Sequence, residues 1–415
     1  MSLGWRKRCP SPKLNHPYGT GKFIPTLLLI NSLALQITKK TLMRITKLET
    51  LIVKPRWVFL KMHTDEGLVG LGEPTLENRA RTIVQAVAEL EPYLIGKDPT
   101  RVVHHWQAMY KHAFYRGGPV LTSALSGVEQ ALWDLAGKAA GVPVYKLLGG
   151  PLRDRIKVYA HCHGTTTEEL VANAQARVAQ GFRALKTGIW GGRPARVIET
   201  PAFVDRVAER LATLRSAVGK EVDIGVDFHG AISPQTAGLL IKALEPYQPL
   251  FFEEIVQCQN VEVMADLARK THIPIATGER LFTKWAFREV LEKGAATILQ
   301  PDLSHAGGIF ETRLIAGMAE AYYAAIAPHC PLGPISLAAG LQVDAAIPNF
   351  LAQEQVHLGE GYLKEPFVVK DGYIDLPTKP GLGIELDEEG VAAQLGEPRR
   401  YPGLYDPDDG AAIDH

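Results

Sequence analysis

Residues 222–229 read Val222-Asp223-Ile224-Gly225-Val226-Asp227-Phe228-His229, and the same kind of text returns as Leu250-Phe251-Phe252-Glu253 and as Ile275-Ala276-Thr277-Gly278-Glu279. Each is a short apolar run closed by a carboxylate, and Asp227, Glu253 and Glu279 stand 26 positions apart. A short apolar run bounded by turn signals reads as a buried strand, and that spacing leaves room for one helix between strands. Outward from this stretch, apolar runs recur at 156–160, 184–189, 224–227, 250–253, 273–279, 296–302, 324–329 and 350–354. Eight such periods fit an α/β fold of the (β/α)8 type, a modified TIM barrel over 156–362. An open doubly wound sheet would carry a glycine-rich phosphate turn after its first strand, and none stands there.

The flanks read differently. Trp57-Val58-Phe59-Leu60-Lys61-Met62, the turn Thr64-Asp65-Glu66-Gly67 and Leu68-Val69-Gly70-Leu71 predict a hairpin or short meander. Helical spacing follows over 78–94, 102–112 and 122–140, the last ending at Gly141-Val142-Pro143. Strands followed by helices predict an α+β unit over 43–155. The turn-rich stretch 363–415 is expected to fold back and complete this cap. Residues 1–42 have a basic start and an apolar stretch broken by Pro25 and Asn31-Ser32, with no small-residue cleavage site. A strand pattern begins at once after Met43, so 1–42 is expected to be a non-native or upstream extension.

A chain of 415 residues is too long for one small core and suits a barrel with a smaller partner unit. Lys and Arg number 45, as do Asp and Glu, so the formal net charge is zero. That balance gives no electrostatic footprint for nucleic acid or an anionic membrane. No apolar run approaches the roughly 18 residues of a membrane span. Cys9, Cys162, Cys258 and Cys330 are widely spaced without a Cys-x-x-Cys pair, which reads as reduced thiols and a cytoplasmic location.

In barrels of this kind the C-terminal strand ends form the active face. Asp227, Glu253 and Glu279 therefore converge on neighbouring strands. Crowded carboxylates disfavour one another's charge unless a cation joins them. An all-oxygen set suits Mg²⁺, whereas zinc would want more nitrogen or sulfur. His229, two positions after Asp227 on the same strand, is expected to share that residue's face and lie beside the metal. Asp302 and His329 close adjacent runs; a carboxylate on one ring nitrogen fixes the tautomer and leaves the other as a general base. Glu354 closes the eighth run. Glu254 must face away from Glu253 and reads as structural. His305 is a candidate at the barrel mouth, and Arg56, Arg116 and Lys186 are candidates for the carboxylate and hydroxyls of a substrate. His104, His105 and His112 lie on a helical stretch and receive no role.

Longer words carry a resemblance: Phe114-Tyr115-Arg116-Gly117-Gly118-Pro119, Gln130-Ala131-Leu132-Trp133-Asp134, Asp227-Phe228-His229-Gly230, Gly278-Glu279-Arg280, Gln300-Pro301-Asp302-Leu303-Ser304-His305-Ala306-Gly307-Gly308 and Ala327-Pro328-His329-Cys330-Pro331-Leu332-Gly333-Pro334. From 43 to about 383 the chain resembles the enolase superfamily, mandelate racemase subgroup, and within it the branch that dehydrates acid sugars such as galactonate. The resemblance implies one Mg²⁺ per subunit on Asp227, Glu253 and Glu279. It implies that His329, backed by Asp302, takes the C2 proton, that His229 acts as the acid, and that Glu354 hydrogen-bonds the enolate. It implies a small acid-sugar substrate, no nucleic acid, no membrane and a homo-oligomer. Racemases of the subgroup carry Lys-x-Lys at the second strand; here the text is Lys186-Thr187-Gly188, which argues against racemisation. Glu253-Glu254-Ile255 and His161-Cys162-His163-Gly164-Thr165 also depart from the pattern and leave the sugar acid open. Dehydration of another aldonic acid, epimerisation, and a barrel without catalysis are the alternatives.

Overall fold

The computed structural model describes residues 43–112, 114–191, 194 and 196–414. The expectation for residues 1–42 lies outside the described residues.

Strands β1 (Ile45–Val53), β2 (Trp57–Thr64) and β3 (Val69–Gly72) form an antiparallel sheet in that order. Helices α1 (Ala80–Leu94), α2 (Val102–His112) and α3 (Gly118–Ala140) follow, then one turn, α4 (Val144–Leu147). Val58, Leu60 and Met62, alternate residues of β2, bury one face of the sheet with Ile83, Val87, Trp106, Val128 and Leu132. Helix α3 lies unusually close to β3. A Cβ on Gly72 would fall 1.9 Å from the Gly127 carbonyl oxygen, so only glycine permits the approach.

The barrel strands alternate with helices: β4 (Arg155–His161), α5 (Thr167–Ala179), β5 (Ala184–Thr187), α6 (Pro201–Val218), β6 (Asp223–Asp227), α7 (Pro234–Leu244), β7 (Phe251–Glu253) and α8 (Val261–Ala268). They continue with β8 (Ile275–Thr277), α9 (Thr283–Lys293), β9 (Ile298–Leu299), α10 (Gly308–Ala321), β10 (Ala325–Ile326), α11 (Pro334–Asp344) and β11 (Gln353–Glu354). Neighbours from β4 to β10 pair in parallel. The ring closes because β11 pairs with β4 and Ile326 bridges to Phe350 just before β11. Side-chain oxygens of Thr166, Thr200 and Ser233 cap the first turns of α5, α6 and α7.

The eighth period differs from the sequence expectation. No helix stands between β11 and the next strands; the chain makes the hairpin β12 (Val369–Lys370) and β13 (Tyr373–Asp375), and β13 runs antiparallel to the first residues of β4. After α12 (Glu388–Ala393) the tail meets the first sheet, where Lys54 N–H donates to the Gln394 carbonyl at 2.8 Å and Arg399 N–H to that of Pro55 at 2.8 Å.

The alternation within each barrel strand aims its side chains. Val158, Ala160, Leu185, Ile224, Val226, Phe252, Leu299 and Ile326 pack outward against the helices in one core. Residues of the opposite parity, Phe251, Ala276, Ile298 and Ala327 with Tyr159, Ala184 and Ala352, form two small clusters of their own inside the ring. Gly225 belongs to that inner set. A Cβ there would lie 2.4 Å from the Phe251 ring, so glycine makes room for the phenylalanine.

Candidate active site at the strand ends

Two residues beyond six of these inner residues stands an ionisable one. Tyr159 leads to His161, Ala184 to Lys186, Gly225 to Asp227, Phe251 to Glu253, Ala327 to His329 and Ala352 to Glu354. The period of two places all six on the inner side at the C-terminal face. Asp227 and Glu253 are direct register partners across β6 and β7. Asp227, Glu253, Lys186, Asp302 and Glu354 are buried.

The Lys186 ammonium lies among three carboxylates: 3.2 Å from Asp227 Oδ2, 2.9 Å from Glu354 Oε1, and in hydrogen-bond contact with Glu253 Oε1. Burial opposes its charge, but the carboxylates of Glu253, Glu354 and Asp227 more than offset this and hold its pKa well above the ordinary lysine value. Burial, with Asp227 adjacent, pushes the Glu253 carboxyl well up.

His329 donates from Nδ1 to Asp302 Oδ2 at 2.8 Å. Asp302 Oδ1 accepts the Ser304 N–H at 2.7 Å, so each of its oxygens has its own donor. The other ring nitrogen, Nε2, lies 3.1 Å from Glu279 Oε2 and 3.8 Å from Glu354 Oε2. Burial opposes the imidazolium, yet the charges of Glu279 and Glu354 and the Asp302 bond raise its pKa well above the histidine norm. Glu354 is held the other way. Burial disfavours its charge, but Lys186, His329 and His161 keep it well below the usual carboxylate range.

His229 lies where it was expected but for another reason. Strand β6 stops at Asp227, and His229 has φ of 49°, so strand alternation does not aim it. Its backbone N–H turns back to Asp227 Oδ1 at 2.9 Å, which carries Nε2 to 3.2 Å from Asp227 Oδ2. The side chain is half exposed at 50 %. Glu254 is buried and faces away, held by Arg280 through Nη2 at 2.6 Å and Nε at 3.0 Å.

Arg56 and Arg116 are not brought into this cluster. Arg56 braces the loop after His329: its Nη2 donates to the Pro331 carbonyl at 2.7 Å, Nε lies 3.1 Å from Glu77, and Nη1 contacts the Tyr401 hydroxyl. Arg116 is exposed, with its guanidinium over the Tyr110 ring at 5.7 Å. His305 is buried; its Nδ1 meets the Ser123 hydroxyl at 2.8 Å and its Nε2 lies 4.0 Å from Asp302 Oδ2.

Four residues that sequence reasoning left without a role shape the site. His161, on β4, bonds through Nε2 to Glu354 Oε1 at 2.7 Å. Glu73, just after β3, accepts N–H groups of Gly333 at 2.7 Å and Ser336 at 2.9 Å, at the start of α11. Glu129, on α3, does the same for Ile309 and Phe310, both at 2.8 Å, at the start of α10. Gln130, from the same helix, donates to the Leu303 carbonyl at 3.0 Å. A carboxylate at a helix N-terminus satisfies orphan donors and the helix dipole. These contacts tie the loops carrying Asp302 and His329 to the first sheet and its helix.

Hard oxygen donors on three successive strands suit a divalent cation, and buried Glu253 Oε2 has no hydrogen-bond partner among the described residues. As the side chains stand, no three of the described His, Cys, Asp and Glu groups are arranged around one ion; the Lys186 ammonium supplies the positive charge between them. The donor chemistry fits Mg²⁺ provided that Lys186 yields its place.

Comparison with known proteins agrees with this architecture. The family described as mandelate racemase / muconate lactonizing enzyme, N-terminal domain, matches residues 37–149, and that described as enolase C-terminal domain-like matches 169–390. A D-galactonate dehydratase of Ralstonia pickettii (strain 12J) is 51% identical over 356 residues, covering 83% of this chain and 93% of the relative. One of Cronobacter sakazakii is 48% identical over 362 residues, covering 85% and 94%. The crystal structure of an enolase from Agrobacterium radiobacter, bound to Na and L-malate, superposes with a TM-score of 0.84 at 31% identity, covering 89% of this chain and 100% of that one. No helix among the described residues is long and apolar enough to cross a membrane. With both parts of the pattern matched in order and strand ends of this composition, the chain belongs to the mandelate racemase / muconate lactonizing enzyme family of the enolase superfamily.

Proposed function

We propose that this chain is a hydro-lyase that removes water from D-galactonate to give a 2-keto-3-deoxy acid. The observation that carries the reading is the His329–Asp302 pair, its base nitrogen beside Glu279, with a second histidine, His229, beside Asp227 in the same cluster. Relatives that are half identical over most of their length bear the name D-galactonate dehydratase.

The bond between Nδ1 and Asp302 keeps one proton on Nδ1; once a cation offsets the Glu279 charge that favours the imidazolium, Nε2 would be free to accept a proton from C2 of the substrate. Abstraction leaves an enolate. Hydroxide is a poor leaving group, so the C3 oxygen must be protonated as it departs. His229, beside Asp227 and open to solvent, is placed to donate that proton and regain another. The enol then tautomerises to the keto acid. Members of the enolase superfamily bind Mg²⁺. Here Asp227, Glu253 and Glu279 would hold one, and when bound it supplies positive charge facing the substrate carboxylate, which lowers the cost of removing the adjacent proton. Lys186, released from the carboxylates, would pair with substrate oxygen. Glu354, kept ionised by Lys186, His329 and His161, would act on the enolate through the donors it holds at the site. Arg56 positions the loop of His329.

The test is turnover of a panel of aldonic acids with Mg²⁺, followed as 2-keto acid formation. D-Galactonate is expected to give the highest kcat/KM. Conversion of none of the acids, or C2 exchange with no keto acid from any, would reject the reading.

A further inference from the structure

Glu354 is buried, and its Oε1 receives two donors, Lys186 at 2.9 Å and His161 Nε2 at 2.7 Å, while Oε2 accepts the Cys330 N–H at 2.8 Å. An ionised carboxylate can only accept, so His161 carries its proton on Nε2. Its Nδ1 has no hydrogen-bond partner among the described residues, and the side chain keeps 21 % exposure. This is the arrangement of His329 repeated with the two nitrogens exchanged: one nitrogen fixed by a buried carboxylate, the other left for a further partner. The two histidines flank Glu354 in the ring, His329 after β10 and His161 on β4, with β11 between them. The His163 ring, 5.4 Å away, lines the same edge.

The direction of the substrate follows from the dehydratase reading, on which this inference rests. Its carboxylate lies toward Asp227, Glu253 and Glu279, on β6 to β8. Its C2 and C3 lie between His329 and His229. The rest of the carbon chain then meets the opposite flank, β11, β4 and β5. We propose that His161 is a specificity-determining residue whose Nδ1 takes a hydroxyl of the acid sugar at C4 or beyond, while Glu354 locks the ring in place. A hydroxyl suits that nitrogen in either protonation state, because it both donates and accepts. A site built to bond a hydroxyl rejects the analogue that lacks it, since a desolvated polar group is then left unpaired.

The experiment compares D-galactonate with its 4-deoxy, 5-deoxy and 6-deoxy analogues in the Mg²⁺-loaded wild type, His161→Phe and His161→Gln. Wild type is expected to disfavour one analogue by at least about 100-fold in kcat/KM. His161→Phe should lose about 10- to 100-fold more on galactonate than on that analogue, mainly in KM, so the preference collapses. Glutamine can donate to Glu354 and accept from the hydroxyl, so His161→Gln should restore most of the preference. Calorimetric binding of the same compounds to an Asp302→Asn background should show the same pattern without turnover. A wild-type preference that survives in His161→Phe would overturn this inference alone. A wild type inactive on every aldonate would overturn the dehydratase reading and this inference with it.

Discussion

Asp302→Asn tests the assignment of the base through geometry alone. The buried carboxylate uses both oxygens: Oδ1 for the Ser304 N–H at 2.7 Å and Oδ2 for His329 Nδ1 at 2.8 Å. Asparagine offers one oxygen and one NH₂. If its oxygen faces His329, the NH₂ meets the Ser304 N–H, and a buried donor without an acceptor costs about 1–3 kcal/mol. If its oxygen faces Ser304, the NH₂ meets Nδ1, and the imidazole must shift its proton to Nε2. The backbone cannot change its donor, whereas the ring can change tautomer, so the second arrangement prevails. Nε2 then carries a hydrogen toward Glu279 and cannot take one from C2. Loss of a positioned general base costs ~10²–10⁴ in rate. The assay is deuterium uptake at C2 of D-galactonate in D₂O by NMR, run beside keto acid formation. Both should fall together by that factor while the melting temperature barely moves. A folded Asp302→Asn protein exchanging C2 within about threefold of wild type would refute the reasoning.

Further perturbations separate the other groups. His229→Asn removes the acid and leaves the base, so C2 exchange should persist while keto acid formation drops by ~10²–10⁴; equal loss of both would show that His229 is needed before proton abstraction. Lys186→Met strands Asp227, Glu253 and Glu354 without their cation, which should cost about 3–5 kcal/mol in metal-free protein. Added Mg²⁺ should recover much of that melting temperature by mass action, and recovery no larger than in wild type would count against the carboxylates as ligands. Burial pushes the Glu129 carboxyl up to about 8, with the N–H groups of Phe310, Ile309 and Trp133 offsetting part of the cost. Between the ordinary value of 4.5 and about 8, the folded chain holds a proton that the unfolded chain has lost, so stability falls as pH rises through that window. Glu129→Gln cannot titrate, so in urea melts the wild type should lose stability relative to this variant from pH 5 to pH 8; a constant difference would contradict the assignment.

The barrel was legible because its strands have period two and its repeat brings a carboxylate back every 26 residues. The same parity rule that finds Glu253 two positions after Phe251 finds His161 two positions after Tyr159, and that signal lay unused in the text. His229 shows the opposite case: strand alternation pointed to it, yet a positive φ and a bond to Asp227 place it. Glu73 and Glu129 could not be read from local pattern. Their partners lie 260 and 180 residues away, and a buried glutamate on a helix looks like any other until the second helix arrives. Arg56 and Arg116 lie on other partners than the strand-end cluster, because a guanidinium's reach says nothing of which carbonyl or ring it will meet.

The central claim is that Asp227, Glu253 and Glu279 close on a single divalent cation. Calorimetric titration of Mg²⁺ into metal-free wild type and Glu253→Gln measures it. One ion bound per chain in the wild type, with binding lost or weakened at least tenfold in the variant, is the result that the account requires. A wild type that takes up no Mg²⁺, or a Glu253→Gln protein that binds it as tightly, would contradict it.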